Sequence, residues 1–142
     1  MPANEHQSER IPFTFATSIL SVENGAKSLE HYVQVLGFDV AWQWSDDRGF
    51  DEGGSPTFMC VCRGEVSLFL AEKCQGQPGA WVMLNVEAAS DVDAVYAELA
   101  AKGARILEPP RDCSWGMREL WVQDLDGNVL RIGAPVSEND SA

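Results

Sequence analysis

The stretch TSILSV, residues 17–22, returns 64 positions later as WVMLNV, residues 81–86, and this pairing decides the architecture. Both runs are rich in β-branched and apolar side chains, which predicts strands. A helix signal follows each. Asn24 predicts the N-cap of a helix over about 26–36 stopped by Gly37; Ser90 or Asp91 predicts the cap of one over about 91–102 stopped by Gly103. The two glycines lie 66 positions apart, and the turns Arg63-Gly64 and Asp126-Gly127 lie 63 apart. Three landmarks therefore agree on one internal period of about 64 residues.

The remaining elements follow outward from those anchors. The first strand is expected to span the whole of FTFATSILSV, residues 13–22. Alternation predicts a strand at 38–44, and the Gly, Asp and Pro of 46–56 predict a loop. Strands are expected near 57–62 and 65–71, then 81–86 and 104–107, with Pro109-Pro110 in a loop. Asp126-Gly127 predicts a type I′ hairpin between strands at 117–123 and 128–133. Each unit thus reads strand, helix, strand, strand, strand. Neither half can bury both its helix and its sheet alone. The expected fold is α+β: two βαβββ modules, about 13–71 and 80–133, forming a paired, cup-shaped mixed sheet with helices outside. One domain is expected over 11–136, with disordered tails at 1–10 and 137–142, which are polar and have little to bury.

Composition excludes several classes of function. The chain has 142 residues, 45% hydrophobic, and a net charge of −12 from 22 acidic and 10 basic side chains. Such a chain buries roughly 68–70% of its unfolded surface and needs neither disulfides nor a structural metal. The negative field disfavours nucleic acid and anionic membrane surfaces as partners. The start MPANEHQSER has neither the basic nor the apolar segment of a secretory signal, so a cytoplasmic location is expected. Four cysteines, Cys60, Cys62, Cys74 and Cys113, are expected as buried, inert thiols.

The repeat, the helix SLEHYVQVLGF (residues 28–38) and the ending WGMRELWVQDLDGNVLRIG (residues 115–133) resemble the glyoxalase / bleomycin-resistance / extradiol-dioxygenase (vicinal oxygen chelate) superfamily. The resemblance spans 13–135 and is closest in pattern to the metal-free bleomycin-resistance branch. For metalloenzymes of the superfamily it implies a divalent ion held by His, Gln or Glu at the centre of the cup. The matching positions here are Thr17, Ser67, Trp81 and Arg131. A guanidinium has no lone pair to give and repels a cation. No metal and no cofactor are therefore expected. Arg131 is either a solvated edge residue or an inward Arg paired with a carboxylate such as Glu119 or contacting ligand.

Strand parity proposes what lines the cup instead. Val82, Leu84 and Val86 form a stripe for packing against a helix, which leaves Trp81 and Met83 on the other face with Phe15 and Thr17. Leu130 and Ile132 likewise leave Val129 and Arg131 for the cup. Trp42 and Trp44 share a strand face beside Asp46, Asp47, Asp51 and Glu52. They read either as an aromatic wall for a cationic ligand or as core or dimer contacts beside a solvated loop. Trp115 stands before Glu119 in a run like Trp-Gly-Arg-Glu of bleomycin-resistance members, but with Met117 inserted, which a bulge would absorb. The candidate ligand-binding residues are Phe15, Thr17, Trp42, Trp44, Phe58, Trp81, Met83, Trp115, Glu119 and Arg131; no catalytic residue is assigned.

The leading expectation is a metal-free binding protein that sequesters a small cationic aromatic molecule. The resemblance adds that it would be a homodimer with clefts between subunits. An alternative is a glyoxalase-like lyase or isomerase, or a dioxygenase-related enzyme, with non-standard or no metal ligands. A third is an accessory domain whose cup is filled by its own side chains.

Overall fold

A computed structural model describes residues 10–136, and its strands fall into two sheets with the same connectivity. The first module contributes β1 (Ser18–Val22), α1 (Gly25–Gln34), β2 (Asp39–Ser45), β3 (Gly49–Phe50), β4 (Pro56–Arg63) and β5 (Val66–Glu72). The second contributes β6 (Trp81–Asn85), α2 (Ala89–Ala101), β7 (Arg105–Asp112), β8 (Met117–Gln123) and β9 (Val129–Pro135). Sheet order is β1-β5-β4-β2-β3 in the first and β6-β9-β8-β7 in the second. In each, the opening strand runs parallel to the closing one and every other neighbour is antiparallel. The period in the sequence is therefore a structural repeat, and the α+β fold of two such modules stands.

Parity separates the two sides of each sheet as expected. Leu20, Val22, Met59, Val61, Leu68 and Leu70 of the first sheet join Leu120, Val122, Leu130 and Ile132 of the second in one buried cluster. Tyr32 of α1 and Leu36 just beyond it, with Val92 and Leu99 from α2, close that cluster. Polar contacts lock the modules together at its rim. The Tyr32 hydroxyl donates to Asp124 Oδ2 at 2.7 Å, and Asn128 Nδ2 donates to the Ser21 carbonyl at 3.1 Å. Arg63 holds both carboxylate oxygens of Glu98 at 2.9 and 2.8 Å.

Several local expectations are corrected. β1 begins at Ser18, not at residue 13: Phe13 and Phe15 are 100% and 83% exposed, with no sheet neighbour to cover them. The loop expected at 46–56 turns back at Gly49–Phe50 to pair with Trp44 and Ser45. Pro109 and Pro110 lie inside β7, which tolerates them because it is an edge strand. The register shift between Glu108 and Arg111 takes up the missing N–H donors. Helix α2 is capped from Ala88, whose N–H is accepted by the Asp91 side chain at 3.0 Å, and neither Ser90 nor Asp91 is the cap. Asn24 does cap α1, its Oδ1 accepting from the Lys27 N–H at 3.0 Å.

The β8–β9 hairpin is present but is not type I′, since only Gly127 there has positive φ. Asp124 Oδ1 instead gathers the N–H groups of Asp126 and Asn128 at 2.8 and 2.9 Å. The expected bulge is absent from the β8–β9 pairing: Met117 opens β8 in register with Pro135, and the turn before it is closed by Gly116 N–H donating to the Cys113 carbonyl at 3.1 Å. All four thiols are free, yet only Cys60 and Cys113 are buried, while Cys74 is exposed. The expected tails at 1–10 and 137–142 fall, Arg10 apart, outside the described residues.

Candidate functional site: two aromatic faces

On the first sheet, the side turned away from the core is built of rings. Trp42, on β2, stacks on Phe58 of β4 at 5.9 Å and 13°, and meets Phe69 of β5 at 5.3 Å. Phe50 of β3 packs edge-on against Trp42 at 5.5 Å and Trp44 at 4.9 Å. Trp42, Trp44, Phe50 and Phe58 wall an open cavity of about 530 Å³, with Phe69 packed behind them. Its rim is acidic: Asp46 and Glu72 line it, with Thr57 and Cys74. Asp46 Oδ1 accepts from Thr57 Oγ1 at 3.0 Å and from Trp44 Nε1 at 3.4 Å. Glu72 Oε2 accepts the Gly25 N–H at 2.7 Å, which fixes that carboxylate at the N-terminus of α1. A cavity with aromatic walls and carboxylates at its rim favours a flat cation by stacking and by cation–π attraction.

The second sheet carries a different set. Glu119 is 1% exposed and lies under three side chains, two tryptophans and an arginine, that give it four hydrogen bonds. Its Oε1 accepts from Trp121 Nε1 and Arg131 Nε at 2.8 and 2.9 Å; its Oε2 accepts from Trp115 Nε1 and Arg131 Nη2, both at 2.8 Å. Burial alone would raise the Glu119 carboxyl, but the bonds from Trp121, Trp115 and Arg131 outweigh it and hold it below the ordinary carboxylate range. Both oxygens are spent, so Glu119 positions its neighbours. Trp81 meets Trp121 edge-on at 5.2 Å.

The ten candidates thus fall in three places. Trp42, Trp44 and Phe58 meet at the first sheet's cavity. Trp81, Trp115, Glu119 and Arg131 surround Trp121 on the second sheet. Phe15, Thr17 and Met83 line a second cavity, of about 540 Å³, between the residues leading into β1 and β6, with Ser67 beside them. Sequence reasoning missed Phe50, Phe69, Trp121 and Arg111. Phe69 was within reach of parity, standing between the core residues Leu68 and Leu70; Phe50 was not, because nothing in DDRGF announces the return of the chain.

The donor set does not fit the metal that the resemblance implies for the superfamily's enzymes. An indole and a guanidinium occupy two of the four positions, and Arg131 is bound to Glu119. Among the described residues no three His, Cys, Asp or Glu side chains stand close enough to hold an ion. No helix among them is long and apolar enough to cross a membrane.

Solved structures share this fold. TioX from Micromonospora sp. ML1 superposes with a TM-score of 0.69 at 21% identity, covering 85% of this chain and 99% of that one. TnmS3 from Streptomyces sp. CB03234, an antibiotic binding protein, gives 0.62 at 24% identity over 86% of this chain and 97% of its own. Lactoylglutathione lyase from Agrobacterium tumefaciens gives 0.67 at 12% identity, covering 87% and 95%. A binding protein and an enzyme share the scaffold, so fold alone does not choose between them. No curated protein matches in sequence. The family model does, along residues 13–132, which takes in both modules and both aromatic faces: the chain belongs to the Glyoxalase/Bleomycin resistance protein/Dioxygenase superfamily.

Proposed function

We propose that this protein binds a small, cationic, aromatic molecule without breaking a bond in it, and so sequesters it. The observation that carries this reading is the cavity of about 530 Å³ walled by Trp42, Trp44, Phe50 and Phe58 with Asp46 and Glu72 at its rim. Stacking on such rings contributes roughly 0.5–1.5 kcal/mol per aromatic pair beyond burial. The net charge of −12 draws a cation toward the protein and speeds encounter, an effect that salt weakens.

The cavity is open on one side, which supports a homodimer in which each chain supplies part of the wall of a cleft. Phe15, Thr17 and Met83, which line the space beside β6, belong to the same proposal as ligand-facing residues. A cytoplasmic setting is part of it too, supported by four free thiols. The antibiotic-binding neighbour TnmS3 makes an antibiotic the first ligand to try. Calorimetric titration with bleomycin and with a planar aromatic cation, at low and moderate salt, tests the reading. Saturable heat that shrinks with salt is expected. The absence of heat with both probes at high protein concentration removes the cation assignment.

A further inference from the structure

The open face of the second sheet gathers two guanidinium groups around indoles in a chain of strongly negative charge. Cross-strand register sets them there: Arg111 on β7 is paired with Glu119 on β8, and Trp121 on β8 with Arg131 on β9. Directly opposite residues point to the same side of a sheet. The contacts agree, with the Arg111 and Arg131 guanidinium carbons 5.2 and 5.5 Å from the Trp121 ring, and Arg131 5.9 Å from Trp115.

Both arginines have donor capacity left over. Glu119 takes Nε and Nη2 of Arg131, which leaves Nη1 with no hydrogen-bond partner among the described residues. Arg111 Nε is shut off from solvent and makes no hydrogen bond; its nearest acid, Glu108, stands 3.7 Å away, too far to accept one. Nε itself is closed to a ligand, but the Arg111 side chain is 41% exposed, and its terminal N–H groups make no hydrogen bond among the described residues. Around these donors Trp81 and Trp115 remain 56% and 53% exposed, presenting flat apolar surface. Glu119 lies beneath the Arg131 guanidinium and does not compete outward, whereas Glu108, opposite Trp121 on the same face, is ion-paired with Arg111 at 3.7 Å and must be displaced by an incoming carboxylate.

We propose that this face is a second recognition surface, for a flat aromatic molecule that carries a carboxylate. The carboxylate oxygens accept from Arg131 Nη1 and from Arg111, and the ring system stacks on the exposed indoles of Trp115 and Trp81. Charge-assisted bonds from a planar fork to a carboxylate are the strong and directional kind. The chain's overall field opposes anions, so affinity requires the ring as well as the charge, and small inorganic anions are rejected. This surface lies on the other sheet and takes a ligand of opposite charge to that proposed for the cavity, so either assignment stands or falls without the other.

The test uses the full chain with 2-naphthoate and, as the neutral control, 2-naphthalenemethanol. Calorimetry is expected to give saturable naphthoate binding about tenfold tighter than the alcohol at low salt, narrowing as salt rises. In heteronuclear spectra the Trp115 and Trp121 indole N–H signals shift with naphthoate while those of Trp42 and Trp44 stay in place. Arg111→Gln is expected to lower naphthoate affinity about fivefold, and Arg111→Lys to lower it less. A second variant, Trp115→Ala, loses affinity for both probes, and circular dichroism checks that each variant is folded. Equal affinity for the two probes, shifts confined to Trp42 and Trp44, or an Arg111→Gln variant that binds naphthoate as wild type does would each overturn the proposal.

Discussion

Arg131 on β9 donates to Glu119 on β8 through Nε and Nη2, at 2.9 and 2.8 Å, and the carboxylate beneath it is 1% exposed. A permanent cation therefore sits, fully paired on one edge, at a position where the superfamily's enzymes are expected to place a metal ligand. The pair also joins the two tryptophans that donate to the same carboxylate, so four side chains share one buried charge.

Glu119→Ala is expected to destabilise the protein strongly. It leaves the Arg131 guanidinium and two indole N–H groups without their acceptor. Breaking a buried ion pair from one side costs about 3–5 kcal/mol, and because the Arg131 side chain keeps 32% of its exposure, about 2–3 kcal/mol is the expected loss. Urea unfolding followed by tryptophan fluorescence measures it. A loss below about 0.5 kcal/mol, the usual range of a surface change, would mean that the network is ornamental.

Acid should unfold the protein through the same group and two others. Asp93 is held below the ordinary carboxylate range first by its bond from Arg118, and Glu98 first by its bond from Arg63. Glu119 is lowered by Trp121, Trp115 and Arg131 against the opposing effect of burial. For a carboxyl depressed in the folded state, the unfolded chain binds the proton first as pH falls. The stabilisation is thus complete above the unfolded-state values, near pH 4, and is lost as pH drops through the folded-state values. Urea midpoints measured from pH 6 down to pH 3 should fall, and the fall should be shallower in Glu98→Gln. A flat profile would contradict the pairing.

How much of this was legible in the sequence depended on the kind of signal. The repeat was, because strand, helix stop and turn each recur with nearly the same spacing, and parity then placed Leu130 and Ile132 in the core and Arg131 on the opposite face. Arg131 with Glu119 was reachable as a charge pair on neighbouring strands. The start of β1 was not: FTFAT has strand composition, but composition cannot report whether a neighbouring strand extends far enough to pair with it, and β5 ends its pairing at Ser18–Leu68. Nor was β7 legible through Pro109-Pro110, since tolerance of proline depends on lying at a sheet edge, which is a property of topology. The aromatic cavity was half visible. Trp42 and Trp44 alternate on one strand, whereas Phe50 and Phe69 arrive from elsewhere in the chain.

Trp42 is the ring that contacts the most other rings in the cavity, touching Phe50, Phe58 and Phe69 at 5.3–5.9 Å. Trp42→Leu should therefore weaken binding of a planar aromatic cation by about tenfold, through the loss of both stacking and cation–π attraction. Asp46→Asn, at the rim, should change the salt dependence more than the affinity at high salt, because it removes charge and leaves the wall intact. Calorimetric titrations at two ionic strengths separate the two. Should both variants bind as tightly as wild type, the cavity is not where the cation sits.

The two helix-stop glycines make a matched pair with opposite surroundings. Gly37 and Gly103 have φ of +79° and +84°, so an alanine at either adopts a left-handed conformation that costs roughly 1 kcal/mol. A Cβ at Gly103 meets nothing within 4 Å, so that cost is the whole effect there. A Cβ at Gly37 would stand 2.5 Å from Glu98 Oε2 and 2.6 Å from Arg63 Nη1, inside the ion pair that clamps one module to the other. Gly37→Ala must push the ends of that pair apart in addition to the backbone cost, while Leu99 Cδ2, 3.6 Å away, stays in ordinary contact. Gly37→Ala is accordingly expected to lose about 1.5–2 kcal/mol against about 1 for Gly103→Ala. In the Glu98→Gln background the difference between the two should shrink, since the clamp is already weakened. Equal losses in the wild-type background would show that the modules do not depend on the Arg63–Glu98 contact for their join.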